Sequence, residues 1–423
     1  MLTKKLLSLA VISFLLIGSF ILISNFEVKA ADMTWAGWAG EEEANVPVID
    51  EMIESWNQEN EEYPVEWLGW PWSETLQQLI IRSRGGQELD LAQIDMGWLA
   101  TLDKMEIVRD LNPILGEEWI SNNLTESAVE AGNIGGKQLA VPWTSASIGM
   151  VYNPDLLEKA GVEEVPETIE EFEMALRKLK EENSDIIPYA MTTKGAGSLG
   201  KDFQAWLWTF GGNVFDDDFN VTINNNAGVE TLNWMKKLLD DGYIAMDIDR
   251  FNARQLFANG VVGFYDDAVF ANKLARSNGV AEDELENKVW PMMRPVINEG
   301  DKPESVLWGH QLVIFKNAKN PDKAGEFIKH ILSQEHSLNY FEETGTVPVS
   351  KDAINSEVVS QDEWIDKWLE ITAYGTKAET QKFAEQSELH NIITEEVQAA
   401  LLDSKSAQEA LDDAAQRIEG VIN

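Results

Sequence analysis

The sequence predicts an α/β protein with chain enough for more than one domain. Short apolar runs alternate with longer amphipathic ones, the pattern of helices covering a mostly parallel sheet. The 423 residues amount to two or three domains' worth of chain, and 44% hydrophobic residues with 16 Trp and 16 Phe suffice for more than one core. No internal repeat, low-complexity tract or Pro/Gly/Ser-rich linker separates the halves. If there are two lobes, the chain must therefore cross between them inside folded segments rather than through a flexible tether, the geometry of a cleft protein.

At the N-terminus Lys4-Lys5 precede an apolar run from Leu6 to Ile23, and a polar stretch ends in Val28-Lys29-Ala30. A basic end, an apolar middle and small residues at the cleavage point are the layout of a secretory signal over residues 1–30. The competing reading is an uncleaved anchor, since the run is near the shortest that spans a bilayer. Gly18 and the serines inside the run, with the cleavage triplet, favour removal. No later segment is apolar for long enough to span, so the working chain is expected to be secreted and to act outside the cytoplasm.

Thr34 to Trp38 and Pro64 to Leu68 read as the first two strands. Between them Val48 to Trp56 carries apolar residues at 49, 52, 53 and 56, one face of a helix. Ser73 is expected to cap the next helix, whose Leu76, Leu79 and Ile80 point one way. Leu89 to Ile94 reads as a third, buried strand, followed by Asp95-Met96-Gly97-Trp98. Thr168 and Glu171 form a capping box before Phe172, Ala175, Leu176 and Leu179. Asn320-Pro321 offers a cap and a first-turn proline before Ala324, Phe327, Ile328 and Ile331. Ser406 and Glu409 open the last helix, buried through Leu411, Ala414, Ala415 and Ile418.

Composition excludes several functions. With 73 acidic against 33 basic residues the formal charge is −40, and loss of Lys4, Lys5, Lys29 and Glu27 with the leader takes it to −42. Such a balance repels phosphate backbones and anionic lipid, so nucleic acid is not a partner. There is no Cys, hence no disulfide, thiolate metal site, cysteine nucleophile or lipidated cysteine. The 4 His show no metal-ligand spacing, and no cofactor is implied. Asp216-Asp217-Asp218-Phe219-Asn220 is similar to the start of a calcium loop, yet Val221 and Ala227 replace the required Gly and Glu, so an exposed acidic turn is the reading.

The segment Gly136-Lys137-Gln138-Leu139-Ala140-Val141-Pro142-Trp143, followed by Gly149 to Leu157 ("GMVYNPDLL"), resembles the "GK…VP…YN-x-D-L" stretch of family 1 extracellular solute-binding proteins, the maltose-binding-protein-like receptors of ABC importers. Lys159-Ala160-Gly161, Val165-Pro166-Glu167-Thr168, Phe172, Gly211-Gly212-Asn213, Phe257 to Asp267 and Asn317 to Phe327 continue the match in family order. The resemblance implies a two-lobed periplasmic-binding-protein-like fold with several chain crossings, ligand held between lobes and closure by hinge motion. By analogy residues 31–143 with 309–332 form one lobe and 144–308 with 333–423 the other, with crossings near Thr144 to Ser147, Trp308 to Gln311 and Leu332 to Gln334. It further implies a monomeric receptor that binds a saccharide and delivers it to the permease subunits of an ABC importer.

Ligands of open α/β sheets bind beyond the carboxyl ends of strands and at interlobe clefts. That rule selects Trp38 after strand one, Trp72 after strand two, Asp95 and Trp98 after strand three, and Trp143, Trp308 and His310 at the crossings; Trp98 is the strongest of these. Sugars present flat C–H faces between hydroxyls, so tryptophan planes beside Asp, Asn or His suit them. Asp267 and Phe270 join the set through the resemblance, where the family places an acid or amide before a tryptophan. Maltose itself is not implied, because Ala146 stands where maltose-binding proteins carry a glutamate. Most tryptophans in any chain pack in cores, and Trp35, Trp56, Trp67, Trp119, Trp234 and Trp290 are read that way, while Trp206 and Trp208 are weak cleft candidates.

Two rival functions remain. Acids beside tryptophans also suit a cationic solute such as a polyamine or quaternary amine. A glycan-cleaving enzyme would need a carboxylate pair, which so acidic a chain supplies by chance, but Gly-x-Ser-x-Gly, phosphate-loop and metal signatures are missing. Mutual repulsion among the acids is expected to destabilise the compact state at low ionic strength. Moderate NaCl should therefore raise the melting temperature of ligand-free protein, and a flat or falling response would show that the acids are not net repulsive.

Overall fold

The computed structural model describes residues 33–42, 45–194, 198–216 and 218–423. The expected leader over residues 1–30 and Asp217 of the acidic turn lie outside the described residues. β1 (Met33–Gly37) leads through a short turn into α1 (Val46–Glu59), and β2 (Val65–Gly69), α2 (Trp72–Arg84) and β3 (Leu91–Asp95) follow. A single turn, Met96–Trp98, then runs into α3 (Leu99–Lys104). The long strand β4 (Val141–Tyr152) opens the second half, which continues with α4 (Ile169–Glu182), β5 (Ile187–Ala190), α5 (Ser198–Thr209), α6 (Asn226–Asp240), α7 (Arg250–Ala258) and β6 (Val262–Asp267). β7 (Trp290–Met292), β8 (Ser305–Ile314), α8 (Pro321–Ile331), α9 (Gln334–Thr344), β9 (Gly375–Thr376), α10 (Gln386–Leu401) and α11 (Ala407–Ile422) complete the elements used below.

The helix starts show which local signals operate. Thr168 and Ser406 both make the full capping box, each accepting a bond from the amide of the glutamate three residues on. Ser73 does not cap α2. The helix begins one residue earlier at Trp72, behind Pro71, so Ser73 sits inside the first turn. The pre-set φ of −52° at Pro71 starts the helix without a side-chain cap. Asn320 occupies the cap position of α8 but makes no capping bond, and Pro321 at the first helical position starts the helix through its restricted φ.

One nine-stranded sheet runs through the molecule in the order β2-β1-β3-β8-β4-β6-β5, with β9 pairing on β8 and β7 on β4. The flanks are parallel, β1 with β2 and β3, and β5 with β6. The centre differs from the mostly parallel expectation, because β8 is antiparallel to both β3 and β4, and β4 to β6. The reason is the chain's path: it crosses from the first half to the second along β4 and returns along β8. β4 pairs with β8 from Val141 to Ile148 and then with β6 from Gly149 to Tyr152, so a single strand belongs to both halves.

Cores lie on either side of this centre. Trp35, Trp56, Phe327, Leu312 and Trp143 are buried together in the first half, and Phe172, Phe203, Trp206, Trp234 and Leu411 in the second. Trp67, Trp119 and Trp290 are partly buried against these cores, so all six tryptophans read as packing residues do pack there. α9 serves both halves: Tyr340 enters the first-half core and Phe341 a core of the second. Among the described residues, no helix is long and apolar enough to cross a membrane.

Gly309 marks how tightly the central strands approach. A Cβ there would lie 2.4 Å from the carbonyl oxygen of Thr144 on β4, backbone that has no room to yield. Gly309→Ala is therefore expected to destabilise the protein by about 1–3 kcal/mol, the usual cost of overpacking, in urea unfolding. An unchanged midpoint would mean that the crossing strands can part freely.

Candidate functional site

The strand ends converge where the two halves meet. Just beyond β1, Trp38 packs edge to face with Trp98 at 5.3 Å between ring centres, and Trp98 in turn meets Trp72 at 5.7 Å. On the other side Trp38 meets the imidazole of His310 at 4.7 Å, His310 meets Trp308 at 4.7 Å, and Trp308 meets Phe270 at 5.6 Å. The result is a continuous row, Trp72–Trp98–Trp38–His310–Trp308–Phe270, that starts at the first residue of α2, passes along β8 and ends beyond β6 in the second half. Trp72 is 52% exposed at one end, while Trp38 and Trp98 are buried within it. Successive rings stand mostly edge to face, the arrangement that aromatic quadrupoles favour.

Polar groups border the row. Asp95 closes β3, and its Oδ1 accepts from the Gly97 amide at 2.9 Å. Its neighbour across the ladder is His310. The imidazole Nδ1 of His310 accepts from Gln93 Nε2 at 3.0 Å, and the His310 amide donates to Thr144 Oγ1 at 3.3 Å. Burial pushes the His310 pKa down to about 3, so the ring is neutral. Glu42, after the turn that follows β1, still meets solvent, yet desolvation raises its carboxyl pKa against the opposing pull of Arg254 from the second half and of Asn45.

The second-half end of the row is built on arginine–aspartate pairs. Arg254 grips Asp267 with Nε at 2.9 Å and Nη2 at 2.7 Å, and its guanidinium lies 5.4 Å from the rings of both Phe270 and Phe251. Arg250 donates to both oxygens of Asp202 at 2.7 and 2.6 Å. Arg294 donates to Asp266 Oδ1 at 2.6 Å over the face of Trp206, and Tyr189 donates to the other oxygen of Asp266. Burial works against each of these cations, but the aspartates outweigh it and raise the arginine pKa values. The charges are thus spent on one another.

Of the residues expected at the site, Trp38, Trp72, Asp95, Trp98, Phe270, Trp308 and His310 come together. Trp143 and Asp267 are buried behind the row instead of lining it. Trp143 is 3% exposed and packs on Trp35 and Tyr340 in the first-half core, with its ring also 6.3 Å from that of His310. Asp267 is fully buried with both carboxylate oxygens bonded to Arg254. Trp206 lies in the second-half core, and Trp208 gives its indole N–H to Glu379 at 2.9 Å. Sequence reasoning missed Gln93, Arg254 and Phe251. A glutamine inside the apolar strand "LAQID" was the available signal for the first, and Phe251, 74% exposed, gave none.

The end of β3 is also tied to the start of α10. Gln386 donates to the Gly97 carbonyl, Thr101 donates to the Ala384 carbonyl at 2.8 Å, and Lys104 pairs with Glu385. These bonds flank the first-half end of the row. Grooves elsewhere, such as the cavity of about 360 Å³ lined by Tyr152, Trp290 and Met292, lie away from it.

A sequence profile of the family described as bacterial extracellular solute-binding protein matches residues 39–336, and the chain belongs to that family. A binding protein of Brucella abortus is 21% identical over 389 residues, which cover 89% of this chain and 90% of that one. The diacetylchitobiose binding protein DasA of Streptomyces coelicolor is 29% identical over 259 residues, 59% of this chain and 56% of its own. Among solved structures, maltose-bound MalE3 of T. maritima is similar at a TM-score of 0.80 with 22% identity, covering 92% of this chain and 99% of that one. An ABC transporter solute-binding protein of Thermotoga lettingae, bound with α-D-tagatose, is similar at 0.81 with 18% identity and the same coverage of 92% and 99%. These likenesses establish the two-lobed α/β fold with its interlobe cleft and chain crossings.

The 4 imidazoles of the chain all lie below their ordinary pKa: His310 and His390 are pushed down to about 3 by burial, and His330 and His336 are lowered by the same cause. As pH falls below roughly 6.5 the unfolded chain takes up protons that the folded chain refuses. Stability present above that pH is therefore lost on acidification toward about 3, by up to ~1.4 kcal/mol per pH unit for each imidazole. Urea unfolding should show a lower free energy at about pH 5 than at about pH 6.5, a window above most carboxylate titration. Equal values would mean that the imidazoles charge freely in the folded protein.

Proposed function

We propose that this chain is the extracytoplasmic receptor of an ABC importer, that it binds an uncharged sugar or oligosaccharide along the row from Trp72 to Phe270, and that it hands the ligand unchanged to membrane permease subunits. The observation that carries the reading is the row itself. It offers aromatic faces for sugar C–H surfaces, with Asp95 and His310 alongside for hydroxyls. An uncharged ligand is favoured because the arginines at the second-half end already carry aspartate partners. Relatives whose names state diacetylchitobiose, maltose or tagatose support the saccharide class.

In this reading residues 1–30 are a secretion signal, and the mature chain works as a monomer. Residues 31–143 with 309–332 make one lobe, and 144–308 with 333–423 the other. Closure draws the first-half rings Trp38, Trp72 and Trp98 toward Phe270, Phe251 and Arg254, with β4 and β8 bending at the junction. Contacts made by both lobes give the closed state its differential affinity for ligand. No chemistry is assigned: a buried neutral imidazole and internally paired carboxylates hold a ligand rather than transform it.

Thermal-shift screening with neutral oligosaccharides beside uronic acids, polyamines and quaternary amines tests the ligand class, because a ligand that binds the folded state raises the melting temperature. Stabilisation by a neutral saccharide, recovered unchanged, is expected. A response to the amines alone would establish the cationic alternative, and multiple-turnover conversion of a glycan would establish an enzyme. With the saccharide in hand, Trp72→Ala should cost about 1–3 kcal/mol of binding, ten- to a hundredfold in affinity, with little change in free-protein stability. Trp234→Ala should do the reverse, lowering stability by about 3–5 kcal/mol while its folded fraction binds normally. If both variants behave alike, the row is not the site.

A further inference from the structure

Gln93 is fully buried on β3, and both ends of its amide are engaged. Its Oε1 accepts from the backbone amides of Trp38 at 3.1 Å and Ala39 at 2.9 Å. Backbone N–H groups can only donate, so they fix which end of the side chain is oxygen. The NH₂ end must then face His310, where Nε2 donates to the imidazole Nδ1 at 3.0 Å. An amide NH₂ has no acceptor to offer, so Nδ1 cannot carry a proton, and the neutral ring carries its proton on Nε2. No described residue bonds that Nε2. The close approach is built in: a Cβ on Gly37 would stand 2.7 Å from Gln93 Oε1.

We propose that Gln93 is the positioning residue of the site, locking His310 as a neutral donor that presents Nε2–H to a ligand acceptor between Trp38 and Trp308. The proposal rests on reading the row as the saccharide site. A sugar hydroxyl or ring oxygen can take the bond, whereas a ligand ammonium, having no lone pair, cannot. The groups that surround the ring are Asp95 and Gln93 from β3, Trp143 and Thr144 from β4, Trp38 beyond β1 and Trp308 on β8; Asp95 is the titratable one among them. The aromatic walls exclude the water that an imidazolium would need, which agrees with the depressed pKa of about 3.

The state of His310 is readable without any ligand. Long-range ¹H–¹⁵N correlation spectra of the ligand-free protein, with His310 assigned by its loss in His310→Gln, should show a neutral Nε2–H ring that does not titrate between about pH 4.5 and 8. A His310 that titrates near 6.5, or that carries its proton on Nδ1, overturns the proposal. Gln93→Glu keeps an oxygen for the Trp38 and Ala39 amides but turns a second oxygen toward Nδ1. That oxygen demands a proton there, so His310 should become an imidazolium or the opposite tautomer in the same spectra. Saccharide affinity should then fall by about tenfold or more and become pH-dependent, while the wild type stays constant over the same range. Unchanged, pH-independent affinity in Gln93→Glu would overturn the positioning role even if the wild-type tautomer is as stated. The correct tautomer in a protein that no saccharide stabilises would instead defeat the saccharide reading.

Discussion

β4 and β8 lie antiparallel from Val141 against Leu312 to Ile148 against Val306, and this pairing joins what would otherwise be two separate sheets. Each half contributes its own parallel strands, but the ladder between β4 and β8 belongs to both. That ladder, with the chain continuous through both of its strands, joins the halves in place of a linker, which is why a chain this long needs no Gly/Ser tether. The same pairing sets the candidate site. With side chains alternating along β8, Val306, Trp308 and His310 share one face, opposite Ile148, Ala146 and Thr144 on β4. The small Ala146 leaves space beside the Trp308 indole, and Thr144 accepts the His310 amide. The register shift between His310 and Gln311 ends this alternation at the histidine.

The row of rings converts that strand face into a path from one half to the other. Each edge-to-face pair contributes on the order of 0.5–1.5 kcal/mol beyond burial, so the rings hold one another in place before any ligand arrives. Prepaid order of this kind lowers the entropy a ligand would have to meet. Buried ion pairs at the second-half end act differently. Desolvating an arginine and an aspartate costs about as much as their attraction returns, so Arg254–Asp267 and Arg294–Asp266 add little stability. Their geometry, bidentate for Arg254 and stacked on Trp206 for Arg294, fixes the strand-end loop that carries Phe270.

Much of this was legible in the residues. Period and capping chemistry placed the first strands and most helix starts because those signals are local: Thr168 and Ser406 bond only within their own turn. Ser73 misled because a proline two residues earlier starts the helix by backbone restriction, which competes with capping. The strand-end rule assembled Trp38, Trp72, Asp95 and Trp98, since a strand's end is visible in sequence, whereas Trp308 and His310, which lie within β8, came from the crossings that the resemblance implied. It could not tell which face of β4 Trp143 occupies, as alternation fixes relative faces and not the absolute one. Asp267 looked available because its partner Arg254 sits on a different element, and no spacing announces a pair formed by folding. The antiparallel centre was likewise invisible, being a property of the chain's path and not of any one strand.

The charge distribution sharpens what the cleft can accept. Acids outnumber bases 73 to 33, so an anionic ligand approaches against the field of the whole molecule. Screening shortens that field to about 10 Å at 0.1 M salt, which leaves the decision to groups within the cleft. The arginines at the second-half end of the row are committed: Arg250 to Asp202, Arg254 to Asp267 and Arg294 to Asp266. To seize one of them an anionic sugar would have to strand a buried aspartate, at a cost of several kcal/mol. A neutral hydroxylated ligand disturbs none of these pairs. In the proposed reading it stacks on rings already ordered and exchanges hydrogen bonds with Asp95 and His310, and the pairing of the arginines with aspartate is what disfavours a charged ligand at that end of the row.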